Sequence, residues 1–186
     1  MVATFAAGDS TGLNSASGVA PDADLILSSI PNYEGTYSSD DKGADLDSAR
    51  GYGAVVSNNS WSSCDEWDVD GNCTNSWDTS EMKTLISNNP SFTTDQLFGY
   101  VSGRNSYVPT AQTTAWQTYI TALDNFQSSG VIVFANGNYD GESDGSYLAG
   151  LPEWYSQLAE AWIAVGWIDF TGDDISNTST SEFRLW

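Results

Sequence analysis

Residues 129–141, Ser-Gly-Val-Ile-Val-Phe-Ala-Asn-Gly-Asn-Tyr-Asp-Gly, contain a short apolar run that ends abruptly in a turn rich in glycine and asparagine. The run Val131–Ala135 is mostly β-branched or aromatic and too short for a buried helix, which predicts a fully buried strand. The turn lies at the carboxyl end of that strand, where α/β sheets gather ligands and catalytic groups. Asn138 in this turn is therefore a candidate site residue, either as a turn former or as an amide donor to an oxyanion.

Three further apolar segments predict strands: one over residues 25–30 after a Pro-Asp turn, one over residues 53–62, and one over residues 161–169. Ahead of Val131, apolar side chains recur every three or four residues and predict an amphipathic helix from residue 113 to about residue 129. They are Trp116, Tyr119, Ile120, Leu123 and Phe126. Strands that alternate with helices favour a parallel sheet, because parallel neighbours need a crossover between them. The predicted fold class is α/β.

The segments between these elements are more polar. We expect a solvated loop over residues 40–45, a short helix over residues 47–51 and a short helical piece within residues 148–158. Residues 62–109 are the least regular part of the chain, with one helix expected over residues 80–86. We interpret residues 62–109 as an insertion on the loop side of the sheet.

Cys64 and Cys73 enclose a small polar loop within that insertion. The chain has no histidine, so the cysteines lack partners for an ordinary zinc site, and a disulfide between them is the expected state. Residues 68–72 alternate oxygen-bearing side chains around a glycine, as calcium loops do, but no glutamate closes the loop at the required spacing. We expect an acidic surface turn there rather than a calcium site, no other metal and no cofactor.

The composition is that of a globular and strongly acidic protein. Of the 186 residues, 40% are hydrophobic and 13% aromatic, which is enough for a domain with a core. The 25 acidic and 5 basic side chains give a formal charge of −20, which repels nucleic acid and anionic lipid surfaces. We therefore expect no nucleic-acid partner and no membrane contact. Acidity and a disulfide are both consistent with a secreted protein.

Four sequence blocks, taken in order, resemble the subtilisin-like serine peptidases. They are Val2-Ala-Thr-Phe-Ala-Ala, Gly18-Val-Ala-Pro-Asp-Ala-Asp-Leu, Val55-Val-Ser-Asn-Asn-Ser-Trp-Ser and the strand with its Gly-Asn turn at residues 131–138. A fifth block, Trp162-Ile-Ala-Val-Gly, is similar to the family's next strand. The later blocks most resemble the subtilases that form secreted passenger domains of bacterial autotransporters. The resemblance implies a three-layer parallel sheet with helices on both faces, and a secreted or cell-surface location.

The resemblance also implies a role for each of seven residues. Asn138 would be the side chain of the oxyanion hole. Six others would form the two walls of the substrate cleft, against which a peptide lies as an added strand. They are Ser60, Trp61 and Ser62 on one wall, and Ala135, Asn136 and Gly137 on the wall of the pocket for the residue before the cut. Ser62 replaces the family's usual glycine and Asn136 a small apolar residue, so we expect a pocket of altered shape.

The catalytic triad of the family runs Asp, His, Ser along the chain. Its histidine motif would precede the block at Val2 and its Gly-Thr-Ser motif would follow residue 186; this sequence contains neither a histidine nor Gly-Thr-Ser. We therefore expect residues 1–186 to be the middle part of one peptidase domain, inactive alone, from a monomeric serine endopeptidase that cleaves peptides or proteins. The alternative is a non-catalytic relative that binds extended peptides in the same cleft.

Overall fold

The computed structural model describes residues 20, 22–27, 39–60, 64–67, 73–102, 112–136 and 145–166. The chain divides into two compact units, Met1–Ile30 and Pro31–Trp186. That the two units belong to one peptidase domain stays a prediction.

The described part of the first unit contains no strand. The strand predicted over residues 25–30 is wrong for its described half, because Leu25, Ile26 and Leu27 are irregular in backbone and exposed. A strand needs a neighbour that satisfies its N–H and C=O groups, so an apolar sequence is not sufficient. The described strands pair only among themselves. Residues 28–30 lie outside the described residues.

The second unit contains, within its described residues, four α-helices and five strands. In chain order they are α1 (Ser39–Gly51), β1 (Val56–Asn59), β2 (Cys64–Trp67), β3 (Cys73–Ser76), α2 (Thr79–Asn88), α3 (Thr94–Ser102), α4 (Thr113–Gln127), β4 (Val131–Ala135) and β5 (Trp162–Val165), with 3₁₀ turns at Leu151–Glu153 and Ser156–Ala159. No helix in these ranges is long and apolar enough to cross a membrane.

β1, β4 and β5 form a parallel sheet in the order β1–β4–β5. Val56 lies opposite Val131, and Val133 lies opposite Ile163. The long crossover from β1 to β4 ends in α4, as a parallel pair requires. The predicted α/β fold is confirmed, and the strand at Val131–Ala135 has the predicted bounds.

The core lies on one face of this sheet. Ile132, Phe134, Trp162 and Ala164 point to that face and are buried against α4, and the rings of Phe134 and Trp162 stack with their centres 5.0 Å apart. Burial of each large apolar side chain contributes roughly 1.5–3 kcal/mol. The opposite face is less covered by the described residues: Val56 is 59% exposed and Val165 43%. Helices in the described part of the chain therefore cover one of the two faces.

α4 begins and ends close to its predicted limits, because its apolar face is continuous and fully buried. α1 is longer than predicted, since residues 40–45 are helical and not a loop. It packs on α4 at Gly43, where an added Cβ would lie 3.4 Å from the Cα of Tyr119, in ordinary van der Waals contact. With Gly43 and Leu46 as its buried positions, α1 has no apolar stripe that a sequence pattern could detect.

The insertion at residues 62–109 is more regular than predicted. It contains the expected helix, α2, and two elements that the sequence did not indicate. One is the antiparallel hairpin of β2 and β3. The other is α3, which begins after reciprocal hydrogen bonds between Thr93 and Gln96 and buries Leu97 and Phe98.

Candidate active site

The carboxyl ends of β1 and β4 meet at one edge of the sheet. Asn59 lies opposite Phe134 in the parallel register, so Ser60 and Ala135 leave the two strands side by side, and Asn136 follows at once. The structure thus brings residues from both predicted cleft walls to the same edge. Trp61, Ser62, Gly137 and Asn138 lie outside the described residues, so the roles assigned to all seven stay predictions.

On the β1 side, side chains fix the strand end. The hydroxyl of Ser60 is exposed and donates a hydrogen bond to Asn58 Oδ1 at 3.0 Å. The carboxamide of Asn59 donates to Ser57 Oγ at 3.0 Å and to the carbonyl of Val133, across the sheet, at 3.4 Å. The bond to Val133 holds the end of β1 to β4 immediately before the segment predicted to bind a peptide, and the other two lie within β1 and Ser60.

On the β4 side, Asn136 is 5% exposed and directly follows the strand. Its backbone N–H donates to the carbonyl of Val165 at 2.9 Å, which extends the pairing with β5. Its backbone carbonyl accepts from the N–H of Ser146 at 2.8 Å. The chain therefore leaves the sheet at Asn136 and returns to the same point at Ser146.

The insertion is fixed to this return point. The backbone N–H and the hydroxyl of Thr79, the first residue of α2, both donate to the carbonyl of Gly145 at 2.9 Å. The N–H of Tyr147 donates to the carbonyl of Trp77 at 3.3 Å. The N-terminus of α2 thus lies against Gly145 and Ser146, where the chain pairs with Asn136.

A capping box determines where α2 begins. The N–H of Glu81 donates to Asp78 Oδ1 at 2.7 Å, and the N–H of Asp78 donates to Glu81 Oε2 at 3.1 Å. The spacing Asp-x-x-Glu is visible in the sequence and could have indicated this helix start. The contact between the start of α2 and Gly145 could not have been predicted, because the two segments are far apart in the chain.

Four of the five buried polar side chains in the described residues belong to this region: Asp78, Thr79, Asn136 and Ser146. Buried polar groups are costly unless they are hydrogen-bonded, so such a cluster needs a structural or functional reason. Ser146 is fully buried, and its hydroxyl has no hydrogen-bond partner among the described residues. The cluster did not follow from the sequence, since no local pattern joins its members.

The described residues contain no group of three or more His, Cys, Asp or Glu side chains that could hold a metal ion. Residues 68–72, which the sequence compares with a calcium loop, lie outside them. Cys64 lies opposite Ser76 in the hairpin and Cys73 opposite Trp67, so the two cysteines are not direct cross-strand neighbours. Their disulfide stays a prediction.

The comparison with protein families gives one result. A family model described as the subtilase family matches residues 1–185. No curated protein and no solved structure matches the chain significantly.

Proposed function

Because the chain belongs to the subtilase family of serine peptidases, we propose that it supplies the substrate cleft and the oxyanion hole of a serine endopeptidase. The observation that carries the proposal is the parallel pairing of β1 with β4. It brings Ser60 and Asn136 to one edge of the sheet, and Asn138 follows two residues after Asn136. Ligand sites of parallel α/β sheets lie at this edge.

In the proposed reaction a serine hydroxyl attacks the peptide carbonyl while a base removes its proton. Negative charge develops on the carbonyl oxygen, and the carboxamide of Asn138 donates a hydrogen bond to it. The peptide lies as an added strand along residues 60–62 on one side and 135–137 on the other. Asn136 forms part of the pocket for the side chain before the cut.

Neither the proposed base nor the proposed nucleophile is among the seven predicted site residues. The chain has no histidine, so a triad of the family's type needs a histidine from outside residues 1–186. We therefore propose that these residues act as the middle part of a larger catalytic domain. The 186-residue chain should show no hydrolysis of peptides and no labelling by a fluorophosphonate.

The test is Asn138→Leu in the natural protein that contains these residues. The substitution keeps nearly the same volume but removes the amide donor, so the loss should fall on kcat with little change in KM. The expected loss is about 100- to 1,000-fold, a magnitude that is known for one such donor in a subtilisin and is carried over here from the family.

Asn136→Leu is the matched control, since it makes the same change two residues earlier. It should alter which side chain is preferred before the cut, measured as the ratio of kcat/KM for two peptides that differ only there. If Asn138→Leu kept kcat within a few-fold of the parent, Asn138 would be a turn residue and the oxyanion role would be lost.

A second candidate function is binding of extended peptides in the same cleft without cleavage, which would follow if the natural protein carries other residues at the triad positions. The two functions differ in fluorophosphonate labelling of the natural protein. A protein that binds a peptide by calorimetry but neither cleaves it nor takes the label would have the second function.

We also propose that the protein is secreted or exposed at the cell surface, of the autotransporter passenger type, and monomeric. The charge of −20 and the two cysteines support this location, because a strongly charged protein stays soluble and disulfides persist in oxidising compartments. Cell fractionation and light scattering of the purified protein test these points. Recovery of the protein only from the cytoplasm would contradict them.

A further inference from the structure

We propose that Thr79, the first residue of α2, is a positioning residue for Asn136 and gives the insertion a part in the choice of substrate. The inference rests on the proposed function, in which Asn136 lines the pocket for the side chain before the cut. Thr79 acts on the substrate only through the backbone of Asn136. Each residue that connects the two lies within the described part of the chain.

The first observation is that a single peptide group, between Gly145 and Ser146, joins Thr79 to Asn136. Its carbonyl oxygen accepts hydrogen bonds from the backbone N–H and from the hydroxyl of Thr79, both at 2.9 Å. Its N–H donates to the carbonyl of Asn136 at 2.8 Å. A peptide group is planar and rigid, so donors that fix the direction of its oxygen also fix the direction of its N–H. Hydrogen bonds to the oxygen also polarise the group and strengthen the bond that its N–H makes.

The second observation concerns the backbone of Asn136, in which both polar groups are hydrogen-bonded. The N–H donates to the carbonyl of Val165 at 2.9 Å and so continues the pairing of β4 with β5. The carbonyl accepts the bond from Ser146, which comes from outside the β4–β5 pairing. A change at Thr79 can therefore alter the second support of Asn136 while the first remains.

The third observation is that the insertion holds Thr79 in place. Asp78 and Ser146 form an antiparallel bridge, and the N–H of Tyr147 donates to the carbonyl of Trp77 at 3.3 Å. The ring of Phe98, on α3, packs against the ring of Tyr147 with the two centres 5.6 Å apart. The start of α2 is thus docked on residues 145–147. Thr79 is also buried, so water does not readily replace a hydrogen bond that its hydroxyl loses.

The first part of the test measures exchange of the Ser146 amide hydrogen in the natural protein that contains these residues. Thr79→Val keeps the shape and the backbone N–H but removes the hydroxyl, so exchange should become about 2- to 10-fold faster, the factor expected for one lost hydrogen bond. Thr79→Ser keeps the hydroxyl and should exchange nearly as the parent does. Lys83→Met is the control in the same helix, because it removes an ion pair with Glu153 at 2.8 Å and leaves Thr79 unchanged. Its exchange should also be nearly parent-like.

The second part measures the ratio of kcat/KM for two peptides that differ only in the residue before the cut. Thr79→Val should change this ratio at least about 3-fold, because a shift of Asn136 alters the shape of the pocket. Thr79→Ser and Lys83→Met should keep the ratio of the parent. A smaller amount of folded protein lowers both kcat/KM values equally, so the ratio separates positioning from stability.

Parent-like exchange in Thr79→Val would overturn the link between Thr79 and Asn136. Faster exchange with an unchanged ratio would reduce Thr79 to a support of the fold, and a Thr79→Ser variant that behaves like Thr79→Val would remove the role of the hydroxyl. If the parent cleaves no peptide, the proposed function is wrong. The ratio of the dissociation constants of the two peptides then decides whether Thr79 positions Asn136.

Discussion

The indole N–H of Trp116 donates a hydrogen bond to the phenol oxygen of Tyr155 at 2.8 Å, and the Tyr155 hydroxyl donates in turn to Asp95 at 2.8 Å. Trp116 is fully buried on α4 and Asp95 lies in the first turn of α3, so one hydroxyl joins two helices. Burial raises the pKa of Tyr155, the hydrogen bond from Trp116 opposes this, and the nearby carboxylate of Asp95 raises the pKa further.

Tyr155→Phe should lower the free energy of unfolding by about 1–3 kcal/mol, because the buried N–H of Trp116 loses its acceptor. Urea denaturation followed by tryptophan fluorescence measures the change. Tyr52→Phe is the matched control, since Tyr52 is 79% exposed, and its effect should stay within about 0.5 kcal/mol. Equal effects of the two substitutions would mean that the Trp116–Tyr155 bond contributes nothing to stability.

The stability of the chain should increase with pH above neutrality because of Lys42. Burial lowers the pKa of this α1 side chain from 10.5 to about 8. Between these values the unfolded chain holds a proton that the folded chain has released, so the free energy of unfolding rises with pH. The slope is at most about 1.4 kcal/mol per pH unit, and less is expected because Lys42 is only half-buried.

Unfolding curves at several pH values between about 7.5 and about 9.5, below the titration of tyrosine, measure that slope. Lys42→Met keeps the aliphatic stem and removes the titrating group, so its stability should depend less on pH over this range. Parallel pH profiles of the parent and Lys42→Met would rule out a shifted pKa at Lys42.

Two glycines inside helices should respond in opposite ways to alanine. Gly43→Ala places its methyl 3.4 Å from Tyr119 Cα, an ordinary contact, and should stabilise the protein by up to about 1 kcal/mol through helix propensity. Gly99→Ala places its methyl 2.9 Å from the backbone carbonyl of Gln112 and should destabilise by about 1–3 kcal/mol. Thermal unfolding of both variants checks this, and shifts of the same sign would contradict it.

Titration of thiols tests the predicted disulfide. We expect no reactive thiol in the oxidised, unfolded chain, and reduction should cost roughly 2–3 kcal/mol of stability for a loop as short as the one between Cys64 and Cys73. In the described register Cys64 lies opposite Ser76 and Cys73 opposite Trp67. Two reactive thiols would contradict the predicted disulfide.

The parts of the fold that could be predicted are those with a strong local pattern. β4 is a β-branched run between glycines, and α4 has an apolar side chain at every three- or four-residue interval. α1 could not be predicted, because it contains Gly43, a weak helix former, and its buried positions form no apolar stripe. α3 could not be predicted either, because Gly99 and the polar residues of this segment interrupt the apolar pattern around Leu97 and Phe98.

The candidate site also has parts that the sequence could predict and parts that it could not. Ser60 and Asn136 were expected near one another from the resemblance to the family, and the parallel register of β1 and β4 brings the ends of their strands to one edge. Gly145 and Thr79 could not be expected, since the bond between them joins residues 66 positions apart and neither residue type is distinctive. Close approach of two backbones leaves no signal in a single sequence.

Among the described strands β1 lies at the edge of the sheet, and its pairing with the distant β4 limits the order in which the chain can be assembled. The side chain of Asn59 reaches β4 across 74 positions, and the β2–β3 hairpin and three helices lie between. Each of these can form from nearby residues, whereas the β1–β4 pairing must first close a long loop. During synthesis β1 therefore leaves the ribosome well before its partner, and its exposed Val56 is open to pairing with other chains until β4 emerges.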